Sequence, residues 1–137
     1  MSTPFGPQLI GETEKTLSAL LRRILEPWGL TEPQWVTLRL AGQLGGSVDA
    51  DGLVDELADR AHFSNAADLV GELTAHGLLE GGALSSSGKD LTVTIQATLA
   101  ERTAPIWAGL SESDVASTSL VLNEVIDRAR RALSAAA

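Results

Sequence analysis

Apolar residues recur three and four positions apart along most of this chain, and glycine or proline breaks the rhythm at short intervals. In 8–26 they are Leu9, Ile10, Leu17, Leu20, Leu21, Ile24 and Leu25, one face of an amphipathic helix that Pro27 and Gly29 end. Thr31 is a good N-cap, Glu32 suits a first helical turn, and Pro33 stands where its missing N–H has no helical partner. This second helix runs to about Gln43, before Gly45 and Gly46. A third is expected over 51–61 with Leu53, Val54, Leu57 and Ala58 inward. Ser64 or Asn65 caps a fourth that continues to His76, with Leu69, Val70 and Leu73 inward and Gly77 as a left-handed C-terminal cap. Residues 78–80 suffice for a stub of strand, and 81–87 read as a small-residue linker. A long helix follows over 88–107; Pro105 kinks or ends it, and the β-branched run through Thr92, Val93, Thr94 and Ile95 leaves a strand over 91–95 as the competing reading. Ser111 caps the last helix, whose early Glu112 and Asp114 and late Arg128, Arg130 and Arg131 suit its dipole. The expectation is an all-α chain forming one domain over 1–137.

The net charge of −8 is unevenly placed. Residues 49–90 carry nine acids (Asp49, Asp51, Asp55, Glu56, Asp59, Asp68, Glu72, Glu80, Asp90) against Arg60 and Lys89, a balance of −7. Such a surface repels phosphate. No apolar run approaches the roughly 18 to 20 residues of a membrane helix. Residues 1–11 show no basic region followed by an apolar core, so the cytoplasm is the expected location and no membrane partner is expected. Without cysteine there are no disulfides or thiolate metal ligands. His62 and His76, fourteen positions apart, do not make a zinc site, and no Gly-rich phosphate loop is present. No metal and no cofactor are expected.

Five segments in order carry a family resemblance. GLTEPQWVTLRL at 29–40 looks like the opening of the second helix of the MarR-family winged-helix regulators. DELADRAHFS at 55–64 resembles the first half of their helix-turn-helix, and LVGELTAHGLLE at 69–80 the end of their recognition helix. LSSSGKDL at 84–91 resembles the start of the fifth helix, and IWAGLSESDV at 106–115 the junction to the last. The likeness spans nearly the whole chain. It implies a two-fold dimer held by the first, fifth and sixth helices (1–30 and 86–137) and a winged helix-turn-helix lobe at 31–85. It also implies a small, often phenolic, ligand bound between the dimer arm and the lobe, with transcription repressed until that ligand arrives.

The departures from the pattern fall on the parts that read DNA. Only Asn65, Ala66, Ala67 and Asp68 separate Ser64 from Leu69, where the family usually has about six residues, so the recognition helix is shortened at its base-reading end. Residues 64–76 contain no Lys or Arg, which removes the bidentate Arg–guanine contact. After Glu80 come Gly81, Gly82 and Ala83, leaving no room for a two-stranded wing; the wing is expected to be reduced or absent. Ordinary DNA binding is therefore disfavoured. If any survives, Ser64, Asn65 and Lys89 are the candidates.

The resemblance also directs attention to pocket residues. Trp35 is either core packing, the commoner role, or a pocket wall with one N–H. Arg39, one turn on, can meet an anionic ligand or form an ordinary ion pair. Arg22 and Arg23 lie on the first helix, which lines the family's pocket from the other side; Arg22 is kept as a candidate, as is Trp28 at that helix's end. His62 and Phe63 occupy the helix-turn-helix turn, where a histidine can serve as acid, base or hydrogen-bond partner or simply face solvent. Trp107 at the dimer junction reads as packing, and His76 suits the end of a helix dipole.

The sequence is thus read as an acidic, MarR-like homodimer that binds a small, aromatic or secondary-metabolite-type molecule and has lost standard DNA binding. Whether the pocket is also catalytic stays open. Two rivals remain: a ligand-responsive regulator that still binds DNA, and an acidic interaction partner of another regulator, including a mixed dimer.

Overall fold

The computed structural model describes residues 2–136. The elements are α1 (Pro7–Leu25), a 3-10 turn (Glu26–Trp28), α2 (Glu32–Leu44), α3 (Ala50–Ala61), α4 (Ala66–Ala75), β1 (Leu79–Glu80), β2 (Ala83–Leu84), α5 (Ser86–Trp107) and α6 (Glu112–Ala136). They form two compact units, one ending at Arg102 and one beginning at Thr103.

Local chemistry sets most boundaries in the first unit. Thr31 and Gln34 form a reciprocal capping box at the start of α2, satisfying two backbone donors. Asp49 accepts from the Gly52 N–H and starts α3 at Ala50, one residue before the expected start. The end of α4 is a Schellman cap: Leu78 N–H donates to the Leu73 carbonyl and Gly77 N–H to that of Thr74, with Gly77 at φ 76°. Asn65 holds the N-cap position of α4 without a side-chain capping bond.

The core of this unit has two adjoining parts. Leu38, Leu40, Ala41, Leu53, Leu57, Ala66, Val70, Leu73 and Leu79 bring α2, α3, α4 and β1 together. Leu25, Trp35 and Ile95 join α1, α2 and α5, with Trp28, Leu21 and Leu99 packed around them. Ala58, expected to face inward on α3, is exposed; the buried stripe is narrowed to Leu53 and Leu57, with Val54 half-buried. The run from Leu91 to Ile95 is helical, not a strand, because the complete burial of Ile95 against Trp35, with Leu91 packed beside it, outweighs the weak helix preference of β-branched residues. Pro105 lies inside α5, which continues to Trp107.

The segment expected to be too short for a hairpin nevertheless makes one. Leu79 pairs with Leu84 and Glu80 with Ala83, antiparallel, across Gly81–Gly82. Gly81 takes φ 62°, a conformation that glycine adopts without strain at the first central position of a two-residue turn. Gly82 is buried, and a Cβ there would stand 2.2 Å from the Val48 carbonyl oxygen and 2.4 Å from that of Asp49. The hairpin tip is therefore seated on the α2–α3 connection.

Ser85 then caps α5 two residues earlier than expected. Its hydroxyl donates to the Gly77 carbonyl at 2.6 Å and accepts from Gly88 N–H at 3.0 Å, tying the end of α4 to the start of α5. Gly88 is needed there because an added Cβ would meet the Leu78 carbonyl oxygen at 2.1 Å.

In the second unit, Ser111 accepts from Asp114 N–H and starts α6. Val115, Leu122, Ile126 and Leu133, at intervals of seven, four and seven, make one stripe, with Glu124, Arg128 and Arg131 ion-paired on the opposite side. No described residue of α6 is buried.

Candidate functional site

Two places in the first unit offer themselves: the helix pair α3–α4 with its hairpin, and a cleft between α2 and α5. The helix pair turns at His62, Phe63, Ser64 and Asn65. His62 is exposed and takes a left-handed conformation (φ 58°, ψ 31°) as the C-cap of α3. Phe63 packs against the core, whereas Ser64 and Asn65 are exposed. The exposed residues of α4 include Asp68 and Glu72, and Glu72 accepts from Gln34 at 3.4 Å. Arg60, the base on α3, is committed to Glu56 at 2.8 Å.

The cleft has a volume of about 290 Å³ and is lined by Arg39, Gly42 and Gln43 from α2, Leu84 from β2, and Lys89, Thr92, Val93 and Gln96 from α5. Helical periodicity explains the set. Arg39 and Gln43 are one turn apart on α2, and Lys89, Thr92, Val93 and Gln96 follow three- and four-residue steps on α5. Gly42 lets the two walls approach, since a Cβ there would stand 3.2 Å from Leu84 Cδ1. The polar lining is two cations, two amides and one hydroxyl, without a carboxylate among the described lining residues. Neither Arg39 nor Lys89 makes an ion pair among the described residues.

No family model and no curated protein matches the chain. Among solved structures, it is similar to the MarR family protein Rv2887 of Mycobacterium tuberculosis, determined in complex with DNA. Identity is 22%, the TM-score is 0.68, and the match covers 90% of this chain and 98% of that one. The fold is the MarR-type winged helix.

In the MarR-type fold, α4 occupies the position of the second helix of the helix-turn-helix and the β1–β2 hairpin that of the wing. Both are present and both are short: α4 spans Ala66–Ala75, and each wing strand has two residues. The wing carries Glu80, Gly81 and Gly82 at its turn and offers no cation. Seating Gly82 on the Val48 and Asp49 carbonyls also uses the tip for internal packing.

The residues singled out from sequence separate in space. Arg39 and Lys89, assigned there to a ligand and to DNA respectively, line the same cleft. Trp35 is 1% exposed and lies in the core beside Leu25 and Ile95, with half-buried Trp28 against the same cluster. Arg22 is exposed on α1; His62 and Phe63 belong to the α3–α4 turn. Thr92, Gln43 and Gln96 were not anticipated. Their spacing from Arg39 and Lys89 was visible, but the facing of α2 and α5 that brings them together was not. Among the described residues no group of three or more His, Asp or Glu is placed to hold a metal, and no helix is long and apolar enough to cross a membrane.

The second unit has its own groove of about 450 Å³, lined chiefly by Trp107, Leu110, Val115, Leu122 and Ile126. Trp107, Leu110 and Val115 are each at least half exposed.

Proposed function

We propose that this chain is a MarR-type homodimer that has given up standard DNA reading and binds a small molecule in its α2–α5 cleft. One observation carries the reading: the recognition helix and the wing, the two elements that enter DNA grooves in such folds, present no Lys or Arg, while the unpaired cations Arg39 and Lys89 line a concave site. Phosphate contacts supply most of the affinity of DNA-binding proteins, and a segment with a balance of −7 on each subunit opposes them. The apolar stripe of α6 supports a second copy of the chain as the dimer partner.

The test is fluorescence anisotropy with duplex DNA from upstream of the protein's own coding region, at low salt, beside a basic winged-helix protein as control. The expected outcome is no saturable binding. Saturable, steeply salt-dependent binding would overturn the reading in favour of a ligand-responsive regulator, the alternative favoured by the DNA complex of the structurally similar mycobacterial protein.

A further inference from the structure

Apart from Phe5 and Val93, every exposed large apolar side chain among the described residues lies beyond Thr103. Such a concentration marks an interaction surface. The order of residues along α6 says what covers it. Val115, Ser119, Leu122, Ile126, Ala129 and Leu133 follow one another at steps of four, three, four, three and four. That is the heptad seam along which one helix packs against another. The steps are the same from either end. Read in either direction, the seam runs large, small, large, large, small, large.

A seam with that symmetry is complementary to its own reverse. Turned about a two-fold axis at Glu124, Val115 meets the partner's Leu133, Leu122 meets the partner's Ile126, and Ser119 meets the partner's Ala129. The small pair lets the two backbones approach between the apolar layers. Sliding one helix by a heptad destroys the match, because Ile126 then faces Ala129, or Leu122 faces Ser119. The groove of about 450 Å³ that Trp107 and Leu110 form with Val115, Leu122 and Ile126 lies where the C-terminal end of the second α6 arrives.

Charge fixes the direction. Glu112 and Asp114 stand at one end of α6, and Arg128, Arg130 and Arg131 near the other. A parallel pair in register stacks each end on its own copy, like charge on like. An antiparallel pair sets the acidic end beside the basic one and opposes the two helix dipoles. Glu124, at the axis, is on the side away from the seam and is held by Arg128 and Arg131. We propose that α6 pairs antiparallel with α6 of a second copy about an axis at Glu124, and that its reversible seam and opposite end charges select this chain over another winged-helix subunit. This rests on the homodimer reading above and adds orientation, register and choice of partner.

The chain has no cysteine, so introduced thiols report the pairing directly. Ser119 and Ala129 are exposed and tolerate cysteine without loss of packing. S119C and A129C, mixed under reducing conditions and then oxidised, should form a disulfide between positions 119 and 129. Neither should link to itself, because two copies of position 119 stand roughly 15 Å apart along the helices, beyond disulfide reach. E112R/D114R should weaken self-association about tenfold in sedimentation velocity at low salt. E112R/D114R/R130E/R131E should recover it, and should exclude the wild-type chain in native mass spectrometry. Circular dichroism checks that each variant stays helical. Self-linked S119C would establish a parallel pair, and a dimer without the 119–129 disulfide would place another surface between the copies. Either result overturns the inference and leaves the homodimer standing. Free mixing of the fourfold variant with wild type would remove the selection of partner. A chain that sediments only as a monomer would overturn both this inference and the homodimer reading.

Discussion

The unit ending at Arg102 and the unit beginning at Thr103 use the same amphipathic periodicity to different ends. In the first, apolar residues of α1 to α5 meet one another: Leu25, Leu38, Leu53, Leu57, Leu73 and Ile95 are all fully buried. In the second, a 25-residue helix keeps its apolar stripe uncovered, with Val115 at 50%, Ile126 at 48% and Leu133 at 59% exposed. A lobe that closes on itself draws its stability from packing within one chain. A helix with an open stripe lacks the tertiary burial that stabilises most protein helices and must obtain it from another surface. The contrast teaches that the fold-specifying information of this chain is complete in one unit and half-written in the other.

The strongest way to break this comparison is to damage the first unit where backbone meets backbone. Gly88→Ala places a methyl group 2.1 Å from the Leu78 carbonyl oxygen, which also accepts from Ser85 N–H. Neither backbone can yield cheaply, so urea denaturation should show a loss of about 3 kcal/mol. Gly71→Ala, at an exposed helix position with open space around the new methyl group, is the control and should gain up to about 1 kcal/mol. Equal behaviour of the two variants would refute the close approach at Gly88.

The second unit should respond to the opposite kind of change. Ile126→Glu puts a charge in the α6 stripe without touching a buried side chain of its own helix. The expected result is a weakening of self-association by about a hundredfold in sedimentation velocity, with the cooperative unfolding of the first unit retained. A dimer of unchanged affinity would show that α6 is not the surface joining two copies.

The same contrast explains what the sequence made legible. Thr31, Pro33, Gly77 and Ser111 specify helix ends through chemistry within a few residues, and each stands where that chemistry placed it. The hairpin was not legible, because two-residue strands carry no periodic signal; what holds them is Gly82 seated on the Val48 and Asp49 carbonyls, more than thirty residues back along the chain. For the cleft, Arg39 was visible as a ligand candidate and Lys89 only as a DNA candidate.

A smaller effect should appear at Ser85, where local and long-range organisation meet. Ser85→Ala removes the α5 cap and leaves the Gly77 carbonyl without the hydroxyl it accepts from. A loss of about 2 kcal/mol is expected by urea denaturation, with self-association unchanged. Weaker self-association at constant lobe stability would mean that this cap serves the second unit instead.

The smallest expected change has the opposite sign. His62 holds φ 58°, a left-handed conformation that costs an L-residue roughly 1 kcal/mol relative to glycine. Its side chain is exposed, so His62→Gly removes strain without opening a cavity. The substitution also makes the unfolded chain more flexible, which offsets part of the gain. Urea denaturation should therefore show stabilisation of about 0.5 kcal/mol. A destabilised variant would show that the imidazole makes an interaction worth more than the strain of its backbone.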